Sequence, residues 1–313
     1  MGQFISSKGL AHSVLATIEA REGKIRGAYL EIASIIQDWR TQDAGGMETA
    51  LLLWESCCVP SLLHGAGTWE QINGAAEGRL EVIQHWFLRL ILRVGPGCPL
   101  PSLRWESGVL GMSLRVWVEK VMLVRHIRGM DQSTLARQTY EEQKLNNWPG
   151  LAKKTNEICM ELGIEDCNES LVSMSNHNYR WMLVENCREK DKQRSRELAA
   201  GKEKCDTIMK EEYGKKKYMS EENMEGVRQL FYTRVRMQPF AGNYSKDKRF
   251  MKSNWLCKCG NERENENHIM SGSCEVYGDI RNNYGNLEDD NELVQFFSEV
   301  LERREILLLE DEK

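Results

Sequence analysis

Apolar side chains recur at the spacing of an α-helix along most of this chain. The clearest case is the segment 75–94, where one stripe is formed by Leu80, Ile83, Phe87, Leu90, Ile91 and Val94. The same period predicts helices over residues 9–40 (in two pieces around Gly23), 47–63, 114–127, 150–162, 177–218 and 291–309. A half-buried strand would alternate with a period of two instead. The sequence therefore predicts a mainly α fold.

Charge divides the chain into unlike segments. Residues 1–187 carry 18 basic and 21 acidic residues, 188–252 carry 18 and 11, and 253–313 carry 6 and 15. The net charge of −5 thus conceals a segment at +7 followed by one at −9. Such asymmetry indicates a nucleic-acid contact surface, although a solvated charged helix explains it equally well. We predict a helical domain over 1–165, a basic helical connector over 166–250, and a small C-terminal domain over 251–313 that ends in a helix.

Composition excludes several classes of protein. Hydrophobic residues make up 41% of the 313 residues and Pro occurs 6 times, which argues against disorder throughout and against a collagen-like chain. Apolar runs fall well short of the roughly 20 residues of a membrane helix, and the N-terminus lacks the features of a secretory signal. Seven of the 10 cysteines lie apart from the C-terminal cluster, as free thiols in a reducing compartment would. We therefore expect an intracellular protein of the nucleus or cytoplasm.

Four candidate metal ligands lie close together near the C-terminus: Cys257, Cys259, His268 and Cys274. Structural zinc takes four ligands tetrahedrally, and three Cys with one His is a common set. The Cys-x-Cys pair beside Gly260 predicts a tight knuckle, and the polar loop after it is long enough to return the second pair of ligands. The alternative is a group of free thiols beside an ordinary His. Because the protein fills all four positions, we predict a structural Zn²⁺ ion and not a catalytic one.

A basic stripe lies along the predicted helix near residue 90. It is formed by Arg79, Val82, Trp86, Arg89 and Arg93, which share one face. Arginines beside an aromatic side chain can hold phosphates and stack on bases. The alternative, which the spacing alone favours, is an ordinary helix whose Arg stems cover the core.

The sequence offers no candidate catalytic residues. Adjacent carboxylates lie in strongly polar surroundings, as solvated faces do: Glu141-Glu142, Glu165-Asp166, Glu211-Glu212, Glu221-Glu222 and Asp289-Asp290. None follows an apolar strand, where a two-metal polymerase or nuclease would hold its carboxylates. The chain also lacks a G-x-x-x-x-G-K-[ST] phosphate-binding loop and a G-x-S-x-G nucleophile elbow.

The N-terminus fits the pattern for myristoylation at Gly2, with Ser6 in the required position. A single myristoyl chain holds a membrane weakly without a second signal, and no polybasic patch is adjacent. The alternative is a short strand over residues 3–5 that leads into the first helix. We favour the strand and expect no membrane attachment through Gly2.

Several runs, in one order, resemble the non-LTR (LINE-type) retrotransposon reverse transcriptases. The first is Val59-Pro60-Ser61-Leu62-Leu63-His64-Gly65-Ala66-Gly67-Thr68-Trp69, which is similar to the region after the catalytic palm. The next are Ile83-Gln84 with Leu88-Arg89-Leu90-Ile91-Leu92, and Leu103-Arg104-Trp105-Glu106-Ser107-Gly108-Val109. The last resembles the family's C-terminal zinc knuckle: Cys257, Cys259, Glu266, His268, Cys274, Tyr277 and Arg281. In two places the chain departs from the family, because His64 replaces a Tyr and Gly67 replaces a Glu.

The resemblance implies that the chain corresponds to the thumb and zinc knuckle of such an enzyme, without the palm that holds the polymerase carboxylates. It therefore implies no polymerase or nuclease activity for this chain. It also implies that RNA or an RNA/DNA duplex is the partner. The candidate phosphate contacts are Arg79, Arg89, Arg93, Lys215, Lys216, Lys217, Arg234 and Arg236. The alternative is a helical interaction module, or an inert relic, in which zinc only stabilises the tail.

Overall fold

The structure is a computed structural model that describes residues 9–38, 46–69, 72–92, 94–95, 97–164, 174–202, 205, 208–220, 224–238, 240, 256–285 and 287–311. Within these residues the regular structure is helical, and one isolated antiparallel bridge pairs Leu256 with Arg263. The predicted mainly α fold is confirmed. In the described part of the chain, no helix combines the length and the apolar character needed to cross a membrane.

The first helix, α1, runs from Leu10 to Asp38 without interruption. The sequence predicted two pieces around Gly23, and that detail is wrong. A glycine inside a helix costs about 1 kcal/mol relative to alanine, and packing offsets this cost because Ile18, Ile25 and Tyr29 are buried on both sides of Gly23.

The predicted helix over 47–63 is a continuous helical run with an irregular middle. Helix α2 (Gly46–Leu53) leads into a π-helical turn at Trp54–Cys58, and α3 (Val59–Leu62) follows directly. Pro60 lies in the first turn of α3, where its missing N–H is not needed. Wider turns of this kind inside helices are rare, and this one turns Trp54 into the core, where it stacks on Phe87 with ring centroids 4.2 Å apart.

Three helices follow in sequence: α4 (Gly74–Leu92), α5 (Leu100–Ser107) and α6 (Met112–Arg128). The first and third match the segments predicted from periodicity. Helix α5 begins at Leu100, although prolines lie on both sides of this residue. Proline is tolerated in the first turn of a helix, so Pro101 does not prevent this start.

The next helices are α7 (Leu135–Leu145), α8 (Leu151–Glu161) and α9 (Asn176–Ala199). The charged helix predicted over 177–218 ends much earlier than expected. Gly201, at φ +73°, takes the left-handed conformation in which helices commonly end. Short 3₁₀ turns at Ile208–Lys210 and Lys217–Ser220 follow in place of the predicted helix.

The C-terminal helices are α10 (Met224–Arg234), α11 (Glu266–Met270), α12 (Gly278–Asn282) and α13 (Asp290–Asp311). The last one confirms the helix predicted over 291–309. Its first turn is held by Asp289, whose Oδ1 accepts hydrogen bonds from the backbone N–H groups of Asn291 and Glu292. The adjacent acids Asp289 and Asp290 thus mark a helix start.

The chain forms two compact units, each built from separated stretches. The first takes described residues from the ranges 1–38, 49–88 and 108–198, and the second from 39–48, 89–107 and 199–313. This grouping differs from the three domains predicted from the sequence, whose boundaries are at 165 and 250. Those boundaries concern which segments fold independently, and they stay predictions. The first unit contains a core in which α6, α8 and α9 meet around Leu114, Trp117 and Leu183.

Candidate metal centre and basic side chains

The C-terminal part of the second unit has its own core, which includes Cys257 and Cys274 and against which Cys259 packs. Phe296, Phe297 and Val300 of α13 pack there with Ile269 and Ile280 of the two short helices. Three of the ligands, Cys257, His268 and Cys274, are buried in this region, and Cys259 is partly buried. The site is thus held between a folded apolar layer and a polar loop.

A tight knuckle positions the first two cysteines, as the sequence predicted. The backbone N–H of Cys257 donates to the carbonyl of Glu262 at 2.8 Å, and that of Gly260 donates to the carbonyl of Cys257 at 2.8 Å. Gly260 has φ +76°, a left-handed conformation that an L side chain rarely adopts. Because this turn reverses the chain at once, both thiols lie on one side of it.

The second pair of ligands is delivered by α11 and by the turn after it. Asn265 caps α11, since its Oδ1 accepts the backbone N–H of His268 at 3.0 Å. The carbonyl of Cys274 accepts the N–H of Gly278 at 2.7 Å, which ties that cysteine to the start of α12. Gly272, at φ +74°, makes the turn between the two ligands. Local hydrogen bonds thus fix the backbone at each of these two ligands.

The four side chains converge on one point. Their ligand atoms all lie within 4.8 Å of one another. The sulfurs of Cys257 and Cys274 are 3.5 Å apart, and the sulfur of Cys259 lies 3.3 Å from Nε2 of His268. Three sulfurs and one imidazole nitrogen at this separation can hold a metal ion, and the donor set is compatible with zinc.

The two knuckle thiols have different electrostatic environments. Burial raises the pKa of the Cys257 thiol to about 12. Burial also acts to raise the pKa of Cys259, but the backbone N–H groups of Asn261 and Glu262 donate to its sulfur and bring the pKa below its usual value. Backbone N–H groups therefore favour a thiolate at Cys259, the form in which cysteine binds metals.

A second layer of polar groups surrounds the ligands. A carboxylate oxygen of Glu262 lies 3.3 Å from Nδ1 of His268, the ring nitrogen that faces away from the cysteines. This contact is one of charge and proximity, because Nδ1 has no hydrogen-bond partner among the described residues. In the same loop, the buried Glu264 accepts hydrogen bonds from Tyr277 at 3.3 Å and from Arg304 of α13 at 3.1 Å. The loop after the knuckle is thereby anchored to α12 and α13.

The three arginines of the α4 stripe differ in their surroundings. Arg79 forms an ion pair with Glu22, whose side chain is buried. Arg89 is half-buried. Trp86, the aromatic member of the stripe, lies under the guanidinium of Arg26 at 4.5 Å from the ring centroid. Arg93 lies outside the described residues.

The second predicted basic patch divides into engaged and exposed members. Lys216 forms an ion pair with Glu211 at 3.3 Å and is mostly covered, whereas Lys215 pairs with Glu48 and remains exposed. Lys217 is exposed. Arg236 is half-buried and has φ +51°. The side chains available to a phosphate backbone in this patch are therefore chiefly Lys215 and Lys217.

Arg234 belongs to a buried network that the sequence did not reveal. Its Nε lies 2.8 Å from Oε2 of Glu106, a fully buried carboxylate, and a second nitrogen lies 3.1 Å from Oε1. The hydroxyl of Tyr218 donates to the same carboxylate. Burial opposes the charge of Arg234, but the bonds to Glu106 and Glu211 outweigh it and raise the pKa of Arg234. Glu106 lies in the run that resembles the family, and nothing in its spacing predicted an ion pair with a residue 128 positions away.

Gly67 lies where the packing leaves no room for a side chain. It lies in a 3₁₀ turn (Ala66–Thr68) packed against α6. A Cβ at this position would lie 2.9 Å from the carbonyl oxygen of Glu119 and 3.0 Å from Cβ of Leu123. The neighbouring Trp69 is also fixed, because its carbonyl accepts from the buried Lys120. A glutamate would not fit at residue 67 in this packing.

Several other predicted features lie outside the described residues. Gly2 and the strand proposed for residues 3–5 lie outside the described residues, as do Glu165-Asp166 and Glu221-Glu222. Glu141 and Glu142 are exposed on α7, in keeping with a solvated face.

Searches among known proteins find no matching family model, no matching curated protein and no matching solved structure.

Proposed function

We propose that Cys257, Cys259, His268 and Cys274 bind one structural Zn²⁺ ion that staples the C-terminal module. The observation that carries the proposal is the convergence of three sulfurs and one imidazole nitrogen within 4.8 Å. Zinc takes this donor set in tetrahedral sites. With four protein ligands no position is left for a water molecule, so the ion would hold the fold and would not activate a substrate.

The small size of the module explains why it would need a staple. Helices α11 and α12 have five residues each. Helices this short are not stable by themselves. Zinc would join the knuckle, the start of α11 and the turn before α12 at one point, and binding energy of this kind contributes directly to folding.

Metal analysis of purified full-length protein tests the zinc assignment. We expect one zinc per chain, and near-complete loss of bound metal in Cys257→Ser and in His268→Ala. Cys98→Ser is the matched control, because Cys98 is an equally buried thiol of the same unit away from the cluster. After cobalt substitution, the native protein should show the visible absorption of a tetrahedral thiolate site. Full metal content in both ligand variants would refute the assignment.

We propose second that the chain is a non-catalytic, nucleic-acid-binding protein similar to the thumb and zinc knuckle of non-LTR reverse transcriptases. Its support is the ordered set of family-like runs, the net +7 of residues 188–252, and the exposure of Lys215 and Lys217. Contacts would be made to the sugar–phosphate backbone of RNA or of an RNA/DNA duplex. Under this proposal the affinity depends weakly on sequence and strongly on salt.

Fluorescence anisotropy with labelled RNA and an RNA/DNA duplex tests this second proposal. We expect binding at low salt. The affinity of Lys215→Gln/Lys217→Gln should depend less steeply on salt, because each lost phosphate contact means that about one counterion fewer is released on binding. The control is Lys153→Gln/Lys154→Gln, which removes two exposed lysines of α8. Folded, zinc-loaded protein that binds neither probe at low salt would favour the alternative, a helical interaction module or an inert relic.

A further inference from the structure

A cavity of about 620 Å³ lies in the first unit. Its walls come from the end of α3 and the turn after it, from the turn before α6, and from α6 and α9. Ligand pockets commonly have volumes of this order, with an apolar surface and a few convergent polar groups. Part of the lining, including Val59, Leu63 and His64, belongs to a run that resembles the family, but neither that resemblance nor the proposed zinc site assigns a ligand to this cavity.

The charged side chains of the cavity carry a net positive charge. They are Arg115, Arg180 and Arg188 against Glu55 and Glu119. Each glutamate already pairs with one arginine, Glu55 with Arg115 and Glu119 with Arg180. The partner of Arg188 is Glu185, which is not part of the lining. The lining therefore has one more cationic than anionic side chain, and Glu185 compensates Arg188 from outside the lining.

Two of the arginines keep hydrogen-bonding capacity for a ligand. A guanidinium carries five N–H donors. Within the described part of the chain, Arg180 uses one nitrogen on Glu119, and Arg188 uses one on Glu185. Both side chains are about half exposed, with relative accessibilities of 49% and 46%. Each can therefore bind an oxyanion with its remaining N–H donors while it keeps its own ion pair.

The lining of the cavity mixes polar and apolar side chains, and part of it is held in place by hydrogen bonds. Arg115 is fixed, because its Nε donates to the carbonyl of Leu110 at 3.0 Å while its Nη2 pairs with Glu55. The same carbonyl accepts from the buried Gln84 at 2.8 Å. Apolar side chains complete the lining: Val59, Pro60, Leu63, Leu110, Val118 and Val184. A preformed wall lowers the entropy cost of binding.

The geometry points to a binding site for an amphiphilic oxyanion, a small molecule with an apolar body and one carboxylate or phosphate group. The apolar body would lie against the apolar side chains of the lining, and Arg180 and Arg188 would bind the oxyanion. Guanidinium groups suit both headgroups because their planar fork matches carboxylate and phosphate oxygens. A cation would meet carboxylates that are already paired.

Isothermal titration calorimetry on the full chain tests the site with three probes that share one alkyl chain: octanoate, octyl phosphate and octylamine. We expect saturable one-site binding of the two anions and at least about tenfold weaker binding of octylamine, since a charge-assisted hydrogen bond accounts for about a tenfold difference or more. The ratio of the first two affinities identifies the preferred headgroup. Octylamine binding as tightly as both anions, or no saturable binding of either anion, would overturn the proposal.

Charge variants locate the site. Arg180→Gln/Arg188→Gln should weaken octanoate binding about tenfold. The control Lys153→Gln/Lys154→Gln should leave octanoate binding unchanged. It is a matched control because Lys154 is about as exposed as Arg188 and, like Arg188, forms an ion pair with a glutamate three residues away on its own helix. As a second measurement, Val184→Phe should reduce binding of all three probes, because the larger side chain would fill part of the cavity. Equal affinity in the native protein and in the double arginine variant, with circular dichroism showing both folded, would contradict the assignment.

Discussion

Single positions in this protein are fixed by atoms that are distant in sequence. Gly67 faces the carbonyl of Glu119 and the side chain of Leu123 so closely that only a hydrogen atom fits. Glu106 is buried and is stabilised by Arg234 and Tyr218. In both cases the residue type is explained by a partner that periodicity and spacing do not identify, because those patterns describe neighbours along one helix.

We expect Gly67→Ala to lower the free energy of unfolding by about 1–3 kcal/mol, because the new Cβ requires the 3₁₀ turn to move away from α6. The matched control is Gly78→Ala in α4, where a Cβ meets nothing within 4 Å. That substitution should raise the free energy of unfolding by up to about 1 kcal/mol through helix propensity. Urea unfolding of both variants measures the difference, and equal effects would contradict the packing argument.

We expect Glu106→Gln to lower the free energy of unfolding by about 3 kcal/mol, since it leaves Arg234 in a largely buried place with less compensating charge. The control is Glu157→Gln, which removes an exposed ion pair with Lys154 and should change it by less than about 0.5 kcal/mol. Chemical denaturation reports both values. A change at Glu106 as small as that of the control would show that the network does not contribute to stability.

At the scale of elements, periodicity predicts where long helices lie and does less well at their ends. The segments 75–94, 114–127 and 291–309 are helices close to those bounds. The helix predicted over 177–218 ends at Ala199, because a glycine in the left-handed conformation at Gly201 outweighs a helix-forming composition. The short helices α11 and α12 have too few residues to show a period, and of the two only α11 has a side-chain cap, from Asn265.

Metal removal should loosen the knuckle elements selectively. After treatment with a zinc chelator, we expect faster amide hydrogen exchange over 256–285, because α11 and α12 would lose the ion that joins them. Helix α6 provides the internal comparison, since it is packed in an apolar core and lies outside the cluster. Exchange that stays unchanged over 256–285, in protein shown to have lost its metal, would mean that the ion does not support these helices.

At the scale of the whole molecule, both charge and helix content are unevenly distributed along the chain. Acidic residues exceed basic ones over 253–313, and most of the helical residues belong to α1, α4, α6, α9 and α13. Each compact unit combines stretches that are far apart in sequence. Boundaries drawn from composition cannot show such a grouping, because composition is read along the chain and contacts form across it.

The same distribution predicts how the whole molecule responds to chelation. Far-UV circular dichroism should lose only a small part of its helical signal, because α11 and α12 together supply few of the helical residues. Near-UV signals from Tyr277, which lies in the metal-side core, should change clearly in the same sample. A general collapse of the far-UV signal would show that the ion stabilises much more of the chain than its own module.

The sequence by itself determined the helical class, the long helices, and a candidate metal-ligand set at Cys257, Cys259, His268 and Cys274, because helical period and ligand spacing are local properties. Only the tertiary structure decided that these four side chains converge, that Arg234 serves a buried carboxylate, and that arginines of α6 and α9 share one cavity. Those relations depend on which surfaces pack together. Packing is set by long-range burial and hydrogen bonding, which no local pattern records.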